Sequence, residues 1–71
     1  MSILVRFTEF QRYDINRDCE VTQFCASIST GTYHTEIPVA EGAPLRVKRE
    51  QFKDKVAELI QKGVGPQQVT L

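Results

Sequence analysis

With 71 residues and a hydrophobic content of 41%, the chain reads as one small domain near the lower limit for a self-sufficient apolar core, and as too apolar for a disordered tail. Nine basic and nine acidic residues cancel, which excludes a whole-molecule positive field that would steer it to nucleic acid. The longest uninterrupted apolar run is Ile3-Leu4-Val5; no stretch is a candidate bilayer span, and MSILVRF lacks the basic leader and long apolar centre of a signal peptide, so a cytoplasmic location is expected.

The first three elements alternate with a period of two. In ILVRF, Ile3, Val5 and Phe7 share one face; in EVTQFCASIS, Phe24, Ala26 and Ile28 do; in TYHTEIPV, Tyr33, Ile37 and Val39 do. This is the mark of half-buried strands. A four-residue loop at Asp14-Ile15-Asn16-Arg17 would set Phe7 opposite Phe24, Val5 opposite Ala26 and Ile3 opposite Ile28. A two-residue loop at Thr30-Gly31, with Gly31 supplying positive φ, would set Ile28 opposite Tyr33, Ala26 opposite Thr35 and Phe24 opposite Ile37. Both loops are even, so the two hairpins send their apolar residues to one common face; an odd loop would reverse a strand.

Glu41-Gly42-Ala43-Pro44 reads as a turn and Leu45-Arg46-Val47 as a short extended piece. From Lys48 the period becomes helical: Phe52, Val56, Leu59 and Ile60 form one stripe through KREQFKDKVAELIQK. Gly63 closes the helix and Pro66 prevents its resumption. The expected fold is α+β: a three-stranded antiparallel meander with one C-terminal helix packed on one sheet face, in the order β-β-β-α. The tail Gln67-Gln68-Val69-Thr70-Leu71 is available as a short terminal strand.

Cys19 and Cys25 are the only cysteines. Six residues of strand span roughly 20 Å, against about 6 Å between the Cα atoms of a disulfide. They therefore read as separate thiols that neither bridge nor share a metal, and the spacing fits no zinc pattern. In the expected register Cys25 faces away from the helix between Arg6 and Glu36, with His34 diagonally across, opposite Ser27. A thiol beside Arg and His has the ingredients of a nucleophile. Glu36 offsets Arg6, however, and the face is flat with no oxyanion loop, so these residues read as a polar strand face or a ligand contact. No catalytic residue, metal or cofactor is expected, and the chain is read as a non-enzyme.

Charge is uneven: residues 1–44 hold three Arg against six acids, and residues 45–71 six basic residues against three acids. On the helix, Lys48, Lys55 and Lys62 line one border of the apolar stripe and Arg49 and Lys53 the other, with Glu50, Asp54 and Glu58 opposite. Such borders suit an anionic contact, or lysine stems lying over the rim of the core. The β-β-β-α order resembles that of small DNA-binding modules that read the major groove with a sheet. Here the outer face offers Arg6, Arg12 and His34 against Glu20 and Glu36, with Phe10 its only aromatic residue, so nucleic-acid binding is the second reading. A membrane role would strip the helix from the sheet. The first reading rests on Leu4, Phe10 and Val21, apolar groups on the outer face, with Phe10 and Val21 paired near Ala40. They mark a partner surface, for a second copy or a larger protein assembly, unless the tail folds back over them.

Overall fold

The computed structural model describes residues 4–39 and 44–71. Three strands, β1 (Arg6–Asp14), β2 (Cys19–Ile28) and β3 (Gly31–Pro38), form an antiparallel meander in the order β1-β2-β3, followed by one helix, α1 (Leu45–Gln61). The expected α+β architecture is therefore present. Ile3, Ala40 and the Glu41-Gly42-Ala43 part of the expected turn lie outside the described residues.

Both loops keep their expected lengths, yet the first sits one residue later in the chain and the second one residue earlier. The first is Ile15–Asp18, closed by the Asp14–Cys19 pair, and it sets Phe7 opposite Ala26 and Glu9 opposite Phe24 rather than Phe7 opposite Phe24. Two local causes place it there. The Asp14 carboxylate accepts from the backbone N–H of Asn16 at 2.9 Å and of Arg17 at 3.3 Å, an Asx-type cap that keeps Asp14 at the strand end. Asp18 takes the left-handed conformation at φ 52°, which acidic side chains tolerate better than most. The second loop is Ser29–Thr30, so Ala26 faces Tyr33 and Phe24 faces Thr35, not Ile28 with Tyr33 and Phe24 with Ile37. Gly31 (φ 151°) is the first residue of β3, and a Cβ there would come within 3.1 Å of Pro66. Each one-residue displacement slides the register by two, which leaves every side chain on its expected face.

The core forms on that face: Phe24, Ala26 and Tyr33 of the sheet meet Phe52, Val56 and Leu59 of the helix, with Val69 from the tail. The Phe24 and Phe52 rings stack at a tilt, 5.9 Å between centroids. Leu45-Arg46-Val47 is the first turn of α1 and not an extended piece. Pro44 precedes it, its carbonyl accepts from the Lys48 N–H at 2.9 Å, and Leu45 continues the apolar stripe one heptad before Phe52 to pack on the core. At the other end Gly63 (φ 76°) supports a Schellman closure, with the N–H of Gly63 donating to Ile60 and that of Val64 to Leu59.

The helix packs on β2 and β3. A helix is about 10 Å across and strands lie about 4.8 Å apart, so one helix covers two strands and leaves a third uncovered. That third strand is β1, whose residues are exposed along almost their whole length. Phe7, expected beneath the helix, is exposed beside it.

Candidate binding surface

The two edges of the sheet differ. Beyond β3, the His34 N–H donates to the Gln67 carbonyl at 3.2 Å and the His34 carbonyl accepts from Val69 at 2.7 Å, forming a parallel bridge between His34 and Gln68. Tyr33 reinforces the tail by donating its hydroxyl to the Val64 carbonyl at 2.5 Å. The tail therefore bridges the β3 edge at His34 and does not fold across the outer face.

No such segment accompanies β1 among the described residues. Which of its groups point outward follows from the ladder. The Val39 N–H donates to the Glu20 carbonyl, so even-numbered residues of β2 bond to β3 and odd-numbered ones to β1. Odd-numbered residues of β2 pair with even-numbered residues of β1. The N–H and C=O groups of Phe7, Glu9, Gln11 and Tyr13 consequently point away from the sheet along the open edge. Their side chains lie on the helix side, where the Arg49 guanidinium grips Glu9 through two hydrogen bonds of 2.6 and 3.0 Å and the Lys53 ammonium stands 5.6 Å above the Phe7 ring. The Arg49 contact holds the Glu9 carboxyl below the ordinary glutamate range, with Lys53 adding to the effect. At the hairpin end the Tyr13 hydroxyl donates to Asp18, which raises the phenol above its usual value.

Between β1 and the start of α1 lies a cleft of about 190 Å³, with Phe7, Phe24 and Phe52 against Glu9, Arg49 and Lys53. This is smaller than the usual few hundred Å³ of a small-molecule site. It is the seam left where the helix stops short of β1.

On the outer face, Leu4 is 91% and Phe10 is 47% exposed, but Val21 is 0% exposed and offers nothing to a partner. Phe10 pairs with Gln23 rather than Val21, whose register neighbours are Arg12 and Pro38. Arg12 reaches across β2 to Glu36 at 2.7 Å, so this ion pair spans the outer face of the central strand. The shifted register also changes the surroundings of Cys25: its direct neighbours are Thr8 and His34, while Arg6 and Glu36 stand one rung away on either side, beside Ser27 and Gln23. The Gln23 amide approaches the Cys25 sulfur at 3.7 Å. Cys19 and Cys25 are both free thiols. No group of three or more His, Cys, Asp or Glu is arranged for a metal among the described residues.

The basic borders of the helix are engaged within the chain. Glu58 holds Lys62 at 2.7 Å and lies 3.8 Å from Lys55, and Glu9 holds Arg49. The two lysines keep the Glu58 carboxyl below its ordinary range, the Lys62 hydrogen bond most of all. Lys48 is half-buried on the first turn of the helix.

Sequence reasoning missed the open edge itself. Its signal was present in the run from Arg6 to Asp14, whose apolar residues Phe7, Phe10 and Tyr13 fall on both faces and which holds no Pro or Lys to protect an edge. No helix among the described residues is long and apolar enough to cross a membrane. No family model, curated protein or solved structure matches the chain.

Proposed function

We propose that this protein is a non-enzymatic binding or assembly module of the cytoplasm that self-associates, with β1 as its contact element. One observation carries the reading: among the described residues the nine-residue strand β1 has no neighbour along one edge and exposes side chains on both faces, whereas the other edge of the sheet is bridged by the chain's own tail at His34. An edge of that length with no Pro, Lys or bulge is a template for another strand, and its charges, Arg6, Glu9, Arg12 and Asp14, select which strand can pair with it. Phe10 on the outer face and Phe7 and Tyr13 on the helix face lie along β1, with Leu4 just before it, so a partner seated at the edge covers apolar groups on both sides. A domain this small also gains from intermolecular burial.

The test is light scattering of the purified protein from micromolar to millimolar concentration. The expected result is a mass that rises toward the dimer, together with slowed amide exchange at Phe7, Glu9, Gln11 and Tyr13. Leu4→Asp and Phe10→Asp should weaken association without unfolding the chain. A monomer throughout the range, with those amides exchanging freely, would overturn the reading.

Nucleic-acid binding through Lys48, Lys55 and Lys62 has less support, because Glu58 already pairs with two of the three. Salt-sensitive retention on an immobilised nucleic acid, abolished by Lys48/Lys55/Lys62→Glu, would favour it instead.

A further inference from the structure

The sequence of β1, RFTEFQRYD, is complementary to itself when reversed. We infer that the partner of the β1 edge is the β1 edge of a second copy, aligned antiparallel about a twofold axis through Phe10. This deepens the proposed self-association and rests on it. In this register Arg6 meets Asp14 of the second copy, Phe7 meets Tyr13, Thr8 meets Arg12, Glu9 meets Gln11 and Phe10 meets Phe10. All nine residues of the strand are paired, with an opposite-charge pair at each end, aromatic pairs between, and no like charges opposed. Cross-strand pairs of these types are the units that stabilise a sheet.

The backbone independently allows the same alignment. Only Phe7, Glu9, Gln11 and Tyr13 direct their amides and carbonyls outward, so a second antiparallel strand must match odd-numbered residues to odd-numbered residues. The Phe10 alignment does so: Phe7 with Tyr13 and Glu9 with Gln11 become the hydrogen-bonded rungs, each exchanging both its bonds. Phe10 with Phe10 becomes a non-hydrogen-bonded rung, where opposed side chains approach most closely. The nearest permitted slips are poorer. Moving two residues one way opposes Glu9 to Glu9 and Arg6 to Arg12. Moving two the other way carries Arg6 and Phe7 past the strand end, against loop residues Asn16 and Ile15.

The product is a continuous six-stranded sheet with both helices on one face. Because α1 stops short of β1, the junction is open on that face, and the Phe7–Tyr13 rungs fill the floor between the helices. At each β3 edge the tail bridge at His34 occupies the middle of the strand, which disfavours growth beyond the dimer.

The register is tested in a Cys19→Ser/Cys25→Ser background carrying one new cysteine. Phe10→Cys should form an intermolecular disulfide under mild oxidation, since its Cα atoms would stand about 4.5 Å apart across the axis. Glu9→Cys and Gln11→Cys should not, because each is offset along the strand from its own copy. Thr8 provides a check that leaves Phe10 intact. Thr8→Arg should weaken the dimer about tenfold by opposing Arg12 of the second copy at two rungs, and Thr8→Glu should tighten it. A dimer that cross-links through position 9 or 11, or that responds alike to both Thr8 substitutions, would overturn the register while leaving self-association standing. A monomeric wild-type chain would overturn both. If Phe10→Cys alone proves monomeric, the opposed responses at Thr8 support the register and their absence overturns it.

Discussion

At the β3 edge, His34 gives its N–H to Gln67 and receives the Val69 N–H, and the Val69 side chain continues into the core. At the β1 edge, the corresponding groups of Phe7, Glu9, Gln11 and Tyr13 point outward with no strand beside them among the described residues. The difference follows from helix width and chain order. The helix lies over the second and third strands, and the chain leaving its C-terminal end returns along the strand beneath it. The first strand receives neither helix nor tail. One side of the molecule is therefore built for stability, while the other leaves outward-pointing backbone groups without a strand beside them among the described residues.

The largest effects should separate these two sides. Phe52 is fully buried against Phe24, and Phe52→Ala should cost about 3–5 kcal/mol, enough to unfold much of a domain this small. Phe10→Ala, an aromatic truncation on the exposed strand, should leave the chemical-denaturation midpoint of dilute, monomeric protein nearly unchanged while lowering self-association at high concentration. Equal loss of folding stability in both variants would remove the distinction. Val69→Ala should have an intermediate effect, about 1–2 kcal/mol from lost burial. It should also hasten exchange at the His34 amide without altering the β1 amides in dilute protein. If the His34 amide already exchanges as fast as those of β1, the two edges are not different.

Much of this arrangement is legible in the sequence, and the misreadings have physical causes. The alternation of Phe24, Ala26, Tyr33 and Ile37 defines which face meets the helix, and the stripe through Phe52, Val56 and Leu59 defines the face that answers it. These assignments survive because an even slip preserves parity. The absolute register depends on finer matters: the Asp14 carboxylate caps its own turn, Asp18 adopts positive φ, and Gly31 enters its strand beside Pro66. Such local choices leave hydrophobic periodicity unchanged, so periodicity cannot locate them. The helix start is masked because Pro44 caps it without a side-chain hydrogen bond. The outer-face surface is only partly legible: Leu4 and Phe10 are exposed, whereas the Arg12–Glu36 bridge crosses the strand that carries buried Val21. The self-complementary order of charges along β1 can be read in its residues, but that this strand is an open edge emerges only once one helix is seen to cover two strands of three.

The smallest predicted effect concerns the contact joining the two sides. Arg49 of the helix holds Glu9 of β1 in a two-pronged ion pair, yet both side chains remain more than a third exposed to solvent. Solvent and salt screen the pair, so Glu9→Gln should cost less than about 1 kcal/mol at neutral pH. The carboxyl titrates lower in the folded chain than in the unfolded one, and its stabilisation is therefore complete above the unfolded value. It disappears as pH falls through the folded value, where protonation removes the charge that Arg49 holds. Thermal melts of wild type and Glu9→Gln should accordingly differ slightly near pH 7 and converge below the ordinary glutamate range. A gap that persists or widens in acid would mean that Glu9 acts through packing beside Phe7 rather than through charge. The helix and the open strand would then be joined by an apolar seam, and Phe7 would belong to the stable side of the molecule.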